Sequence, residues 1–502
     1  MSVTATPGRT SLVLVAPHGG RRDPVRRPWG SAPLKMNDLH TAALTQELAA
    51  ATGAATLVNF DLDRNDVDLN RLTAVHDRLP EFLEQLRELV RAALDRHGRA
   101  TVLTVHGWNV MQPAVDLGLG CTTDADPFRV GPHAAVSPAF ALGGVAAFHR
   151  ACSARGITAT VGARYPARAK ENLIQLFTAR HRADPRPLVR ELAALGARCD
   201  AMQLELSIPL RWPGAWRQRL IDACVEALPA LAGEPVPPPD AMPLADDVAS
   251  SARRSLEFVA GDVAGLATLD ALGGRLLLFP PDGGLVLFTG ERIGPCATDA
   301  VAGLCIEPGA ARVRFDGPMA RFADTTPFVD LEHGLGSAGL VQRAVLDLRF
   351  TPDDGTGFGS VAGEAVLDGR RLAIRGSGFA VEGTPPLVWP RMRAALRLSD
   401  GSTVSVTLGL QDGSATGFVH DATGIHAVAS AEADTGPADD PLRTFTLQVT
   451  MANGHALHVR GAAMHRLPVV RGGSAPPVRL LYASLRLDGD QEPAGWCELG
   501  GL

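Results

Sequence analysis

Lysine is almost missing from this chain. It occurs only at positions 35 and 170, and arginine carries the rest of the positive charge. A genome bias accounts for that more simply than a function does. The formal net charge is -6 and no basic stripe dominates, which excludes a general nucleic-acid binder. Long apolar runs are missing too. The run Leu12 to Ala16 is broken at once by Pro17 and His18, too short for a signal-peptide core, and no later stretch is long enough to span a bilayer. Cysteine is sparse and scattered, at 121, 152, 199, 224, 296, 305 and 497, an odd number with no C-x-x-C pair. That argues against a disulfide framework and for a reducing compartment, so a cytoplasmic protein that needs neither membrane nor nucleic acid is expected.

What is present fits a folded, multidomain protein. A chain of 502 residues exceeds one ordinary core, and 46% hydrophobic with 20% charged residues is a globular composition. Residues 1–230 alternate strand and helix signals. SLVLV (11–15), TLVNF (56–60), TVLTV (101–105), ITATV (157–161) and AMQLEL (201–206) read as strands. Asn37 and Asp38 are placed to cap a helix that Gly53 closes. Pro80 suits the first turn of a longer helix, in which Phe82, Leu83, Leu86, Leu89, Val90, Ala93 and Leu94 recur at helical spacing. Strands separated by helices predict an α/β domain with a mostly parallel sheet covered on both faces. Residues 231–250, with EPVPPPDAMP, read as a proline-rich linker. From 251 to 502 the pattern changes to short apolar runs punctuated by Asp-Gly turns, as at Asp368-Gly369, Asp400-Gly401 and Asp412-Gly413. That is hairpin grammar, and it predicts an all-β region, possible as two barrels dividing near 385–392.

The chemistry is expected beyond the carboxyl ends of the parallel strands. His18 follows the first strand in APHGGRRDP, His106 closes TVLTVH, and Glu205 lies late in MQLEL. His18, Asp23 and His106 form a two-imidazole, one-carboxylate set suited to Zn²⁺ with a position left for water. Glu205 is placed to move a proton. Gly19 and Gly20 are expected to let the loop turn so that His18 and Asp23 converge. In DRNDVDLNR, Arg71 offers a planar fork for a carboxylate and Asn70 adds donors. Each has a plainer reading as a loop residue, a turn residue or a partner in a salt bridge, with Asp66 and Asp68 pairing with Arg64 and Arg71. The combination carries the case.

With PHGG, DVDLNR, VLTVHGW and QLEL in that order, residues 10–225 resemble the N-formylglutamate amidohydrolase family, which has a zinc-carboxypeptidase-like α/β fold. The resemblance implies one zinc ion per chain held by His18 and His106, with Glu205 as general base. It implies Asn70 and Arg71 on a substrate carboxylate and Arg64 on the scissile carbonyl. Tyr165 falls where carboxypeptidases place a mobile tyrosine. Carboxypeptidases use H-x-x-E for their first two ligands, whereas Arg21 stands third after His18 here. Asp23 is the expected substitute, and phage poly-γ-glutamate hydrolases share its five-residue spacing.

The C-terminal half resembles the tandem lipocalin-like proteins related to carotenoid hydratases and AttH, through GSGFAVEGTPPLVWPRMRAALRLSDGS, GFVHDATG and AGWCELG. Where that family often carries R-x-x-S-W-G this chain reads EGTPPLVWP, and only Trp389 remains. Glu332, His333 and His420 are candidates to face a barrel cavity, with strand-end positions the plainer alternative. The leading expectation is a zinc-dependent amidohydrolase that removes an N-formyl or other N-acyl group from a small carboxylate-bearing substrate, in specialised metabolism. The alternative puts the activity, as isomerase, hydratase, cyclase or carrier of an apolar molecule, in the β half.

Overall fold

The computed structural model describes residues 3–20, 38–121, 128–234, 253–260, 263–270, 273–281, 284–292, 300–322, 340–353, 357–383, 391–437, 440–471, 478–489 and 494–500. They fall into two compact units, one from the described residues of 3–234 and one from those of 253–500. Among the described residues no helix is long and apolar enough to cross a membrane.

The first unit is built on a seven-stranded sheet. Its strands are β1 (Val3–Thr6), β2 (Leu12–Ala16), β3 (Ala55–Asn59), β4 (Ala100–Trp108), β5 (Ala114–Gly118), β6 (Thr158–Val161) and β7 (Cys199–Ser207), in the spatial order β1-β3-β2-β4-β7-β5-β6. The run β3-β2-β4-β7 is parallel, and so is the pair β5-β6. β1 and β5 lie antiparallel to β3 and β7. The five expected strands are all present. The two additional ones had little signal: β1 is a short edge strand with three exposed residues, and Asp116 interrupts the apolar run of β5.

Alternation along the strands divides the core between the two faces of this sheet. Leu12, Leu14, Leu103 and Val105 pack on one side with Leu44 and Leu48 of helix α1 (Thr41–Thr52). Val13, Val15 and Val102 pack on the other. There they meet helix α3 (Pro80–His97), which follows the short helix α2 (Leu72–Arg78). All seven apolar residues expected on one stripe of α3 are buried, each contributing about 1.5–3 kcal/mol for a large side chain. Gly53 and Gly98 end α1 and α3 at φ 71° and 74°, the left-handed region where a Cβ is unfavourable. The expected cap at the start of α1 is different. His40 occupies that position without a side-chain cap hydrogen bond, Asn37 lies outside the described residues, and Asp38 has another role described below.

The second unit is all-β among its described residues, apart from one turn of 3-10 helix at Pro308–Ala310. A ten-stranded antiparallel sheet includes an extra pairing of Leu285–Glu291 with Arg312–Phe322, so that eight of its strands return on themselves. Eight further strands, from Arg391–Arg397 to Gly495–Gly500, form a closed barrel. Met392, Ala394 and Leu396 join Leu481, Ala483, Leu485, Cys497 and Leu499 in its core. The Asp-Gly signals hold where they are described. Asp368 and Gly369, at φ 50° and 81°, link two strands directly, as a two-residue hairpin turn requires.

Candidate active site

Parallel strands in register bring the sequence-distant candidates together. His106 and Glu205 are direct partners across β4 and β7, so their side chains emerge from neighbouring points on the same face. His18 follows β2, the other neighbour of β4. The ring centroids of His18 and His106 lie 4.9 Å apart. Neither Gly19 nor Gly20 has a left-handed φ, and the expected convergence of His18 with Asp23 lies outside the described residues. A Cβ on Gly19 would lie 2.9 Å from the backbone nitrogen of Ala42, and one on Gly20 would lie 2.5 Å from the carbonyl oxygen of Leu62.

The carboxylate between the two imidazoles is that of Asp38. Asp23 lies outside the described residues. Nδ1 of His18 and Nδ1 of His106 each stand 3.2 Å from Asp38 Oδ2. One ligand atom from each of His18, Asp38 and His106 lies within 4.8 Å of the others, and all three residues are buried. Nε2 of His18 is 2.8 Å from Asp68 Oδ1. If Nε2 carries the proton and donates to Asp68, Nδ1 of the neutral ring presents a lone pair toward Asp38. Two lone pairs facing each other at this range suit a cation, and a carboxylate behind a ligating imidazole is the usual second partner. The donor set therefore fits a divalent ion of the zinc type. Asp68, read in the sequence only as a salt-bridge partner, makes this contact to His18.

The electrostatics follow from burial. Burial raises the Asp38 carboxyl, but its contacts with His106 and His18 and the charge of Arg64 outweigh it and hold Asp38 well below the usual carboxylate range. Burial lowers the His106 imidazole to about 4, against its hydrogen bond to Asp38, so the ring is neutral and able to ligate at pH 7. Burial pushes the Glu205 carboxyl well above its ordinary range, and Asp38 adds to this; Arg64 pulls back, Asp116 pushes up, and Arg211 pulls back.

The remaining candidates line the same cavity of about 430 Å³: Arg64, Asn70, Arg71 and Tyr165, together with His18, Asp38, His106 and Glu205. Arg64 Nη1 reaches Asp38 Oδ1 at 3.4 Å. Asn70 is largely committed to the protein: its Oδ1 accepts from Leu173 N at 3.1 Å, and its Nδ2 donates to Gln203 Oε1 at 3.4 Å. Gln203 in turn donates to Glu205 Oε1 at 2.8 Å and accepts from Asn172. Arg71 is exposed at the cavity, with Nη1 on the carbonyl of Asn70. The Tyr165 ring stands edge-on to Trp108 at 5.8 Å, and its backbone is held by Asp116.

Sequence reasoning did not find Asp38, Asp68 or Gln203. Asp68 had a signal, two residues before Asn70 in DVDLNR, and Gln203 shares the Glu205 face of β7. Asp38 had none beyond looking like a helix cap. In the second unit, Glu332, His333 and Trp389 lie outside the described residues. His420 is half-buried, with its ring 4.9 Å from that of Phe358.

Comparison with known proteins yields no assignment. No protein-family model matches the chain, and no curated protein does. Among solved structures, the N-formylglutamate amidohydrolase from Ralstonia eutropha JMP134 aligns at 17% identity and TM-score 0.32, over 46% of this chain and 97% of that one. A gene product of Agrobacterium tumefaciens aligns at 15% and 0.28, over 46% and 92%. An AttH-type structure from Nitrosomonas europaea aligns at 12% and 0.23, over 50% and 92%. Likenesses at this level carry no weight for function, which rests on the site itself.

Proposed function

We propose that the first unit is a zinc-dependent amidohydrolase that cleaves a C–N amide, such as an N-formyl or other N-acyl group, on a small carboxylate-bearing substrate. The observation that carries this is the convergence of His18, Asp38 and His106 beside a buried Glu205 in one cavity. His18 Nδ1, His106 Nδ1 and an Asp38 oxygen would hold the ion, and Asp23 remains a candidate for a further ligand. Zinc bound there supplies Lewis acidity and makes water acidic enough to react near neutral pH. Glu205 takes the proton from the attacking water and returns it to the leaving nitrogen. Its raised proton affinity suits both halves of that transfer. Arg71 binds the substrate carboxylate through its exposed fork, with the remaining amide hydrogen of Asn70 beside it. Arg64 faces the developing charge on the carbonyl oxygen, and Tyr165 closes over the substrate. The second unit we read as two calycin-type barrels in tandem, which the return pairing of Leu285–Glu291 with Arg312–Phe322 supports.

The test is metal analysis of the purified chain with a panel of N-formyl and N-acyl amino acids, before and after chelation. About one zinc per chain is expected, with hydrolysis lost on chelation and restored by zinc. His106→Ala is expected to lose both the metal and the activity. A folded chain with no divalent metal and no hydrolysis of any panel member overturns the proposal.

A further inference from the structure

Among the described residues, Arg211 is a buried cation with no hydrogen-bonded carboxylate. It is 1% exposed and ends the short helix Ile208–Arg211, which turns the chain back directly after β7. Its guanidinium donates to four acceptors on three separate elements. Nε donates to the carbonyl of Leu206 at 3.0 Å, next to Glu205. Nη1 donates to the carbonyl of Leu39 at 2.8 Å, next to Asp38. Nη2 reaches the carbonyl of Trp108 at 3.4 Å and Asn109 Oδ1 at 2.8 Å, just beyond His106. Its own carbonyl accepts from Arg217, which is paired with Glu47 of α1. The fit is close. A Cβ on Gly107 would lie 2.8 Å from Cζ and Nη1 of Arg211 and 3.0 Å from Cβ of Asp38, so the glycine after His106 makes room for the guanidinium.

We infer that Arg211 is a positioning residue for the metal-ligand set, its planar fork locking the Asp38 segment, the His106 strand end and the Glu205 strand end into one geometry. The inference rests on the proposed metal site. Removing a charge from water is costly unless it is compensated. Here the negative groups that act on the guanidinium are Asp38 and Glu205, the residues whose segments it fixes. Two ligand segments and the strand end that carries Glu205 converge here and need such a tie, because a site this small tolerates little drift. A lysine cannot replace it, since an ammonium is a point donor and does not reach three elements in fixed directions.

The experiment compares wild-type, Arg211→Met, Arg211→Lys and Gly107→Ala full-length proteins. It reads Co²⁺ affinity by competition with a chelator, the visible spectrum of bound Co²⁺, and the imidazole NMR shifts of His18 and His106 without metal. Each variant is expected to bind Co²⁺ about 10- to 100-fold more weakly, the usual scale for losing an outer-shell support, with an altered spectrum. Gly107→Ala tests the same tie with the charge retained, and it decides the matter should the Arg211 variants fail to fold. Unchanged affinity and spectrum in folded variants, with only thermal stability lowered, overturn the inference and leave Arg211 a structural residue. If wild-type protein binds no Co²⁺, the proposed function fails and the NMR shifts decide: movement of both imidazoles in the variants supports the tie, and unchanged shifts overturn it.

Discussion

Asp68 shows how much of a site can depend on one oxygen. A proton on Nε2 of His18, donated to this oxygen, leaves Nδ1 free to ligate. Asp68→Ala is expected to weaken zinc binding by about 10- to 100-fold with the fold intact, measured by chelator competition. Glu205 gives a pH prediction. A general base works deprotonated, and burial raises the pH at which Glu205 loses its proton. Activity should therefore fall with decreasing pH along a limb placed above the ordinary glutamate value of about 4.3. A kcat/KM profile that stays flat down to that value contradicts the assignment. Glu205→Gln should retain zinc and lose turnover by about 10²- to 10⁴-fold.

At the scale of elements, two buried arrangements differ in kind. A Cβ on Gly20 would meet the backbone oxygen and nitrogen of Leu62 and the buried side chain of Asn59. Gly20→Ala should destabilise the first unit by about 1–3 kcal/mol, read in a denaturant melt. In the second unit, Arg391, Arg393 and Glu498 alternate with barrel-core residues and are charged and buried. Glu498 is fully buried; Arg391 Nη2 donates to it at 2.9 Å, while Arg275 and Arg393 lie within 3.6 and 3.9 Å. Burial raises its carboxyl, and the charges of Arg393, Arg275, Arg391 and Arg253 outweigh this and hold it far below the usual range. A folded-state value below the unfolded one means that stability is present above about pH 4.3 and is lost as the pH falls below it. Glu498→Ala removes the buried carboxylate that Arg391, Arg275 and Arg393 share and should cost about 3–5 kcal/mol at pH 7.

The whole molecule consists of two compact units, with the candidate metal site in one of them. An ion that binds only the folded form stabilises it by about 2.7 kcal/mol at a hundredfold excess over its Kd. Calorimetry of the full chain with and without zinc should therefore move the transition of the first unit and leave that of the second in place. Two transitions that both shift equally would show that the units unfold together or that the ion binds elsewhere.

The residues alone determined the α/β character of the first half and the all-β character of the second, because hydrophobic period and Asp-Gly turns are local signals. They also determined His18, His106 and Glu205 as candidates, since each closes a readable strand. Parallel pairing of β2, β4 and β7 then brings such strand ends together. Tertiary structure alone decided that Asp38 is the carboxylate placed between the imidazoles, that Asp68 backs His18 and that Arg211 ties the strand ends. Asp38 follows a segment whose path no periodicity encodes, and it resembles a helix cap until the fold turns its carboxylate inward. Arg211 reads as one arginine among many, and only burial against three carbonyl-bearing segments gives it a distinct role.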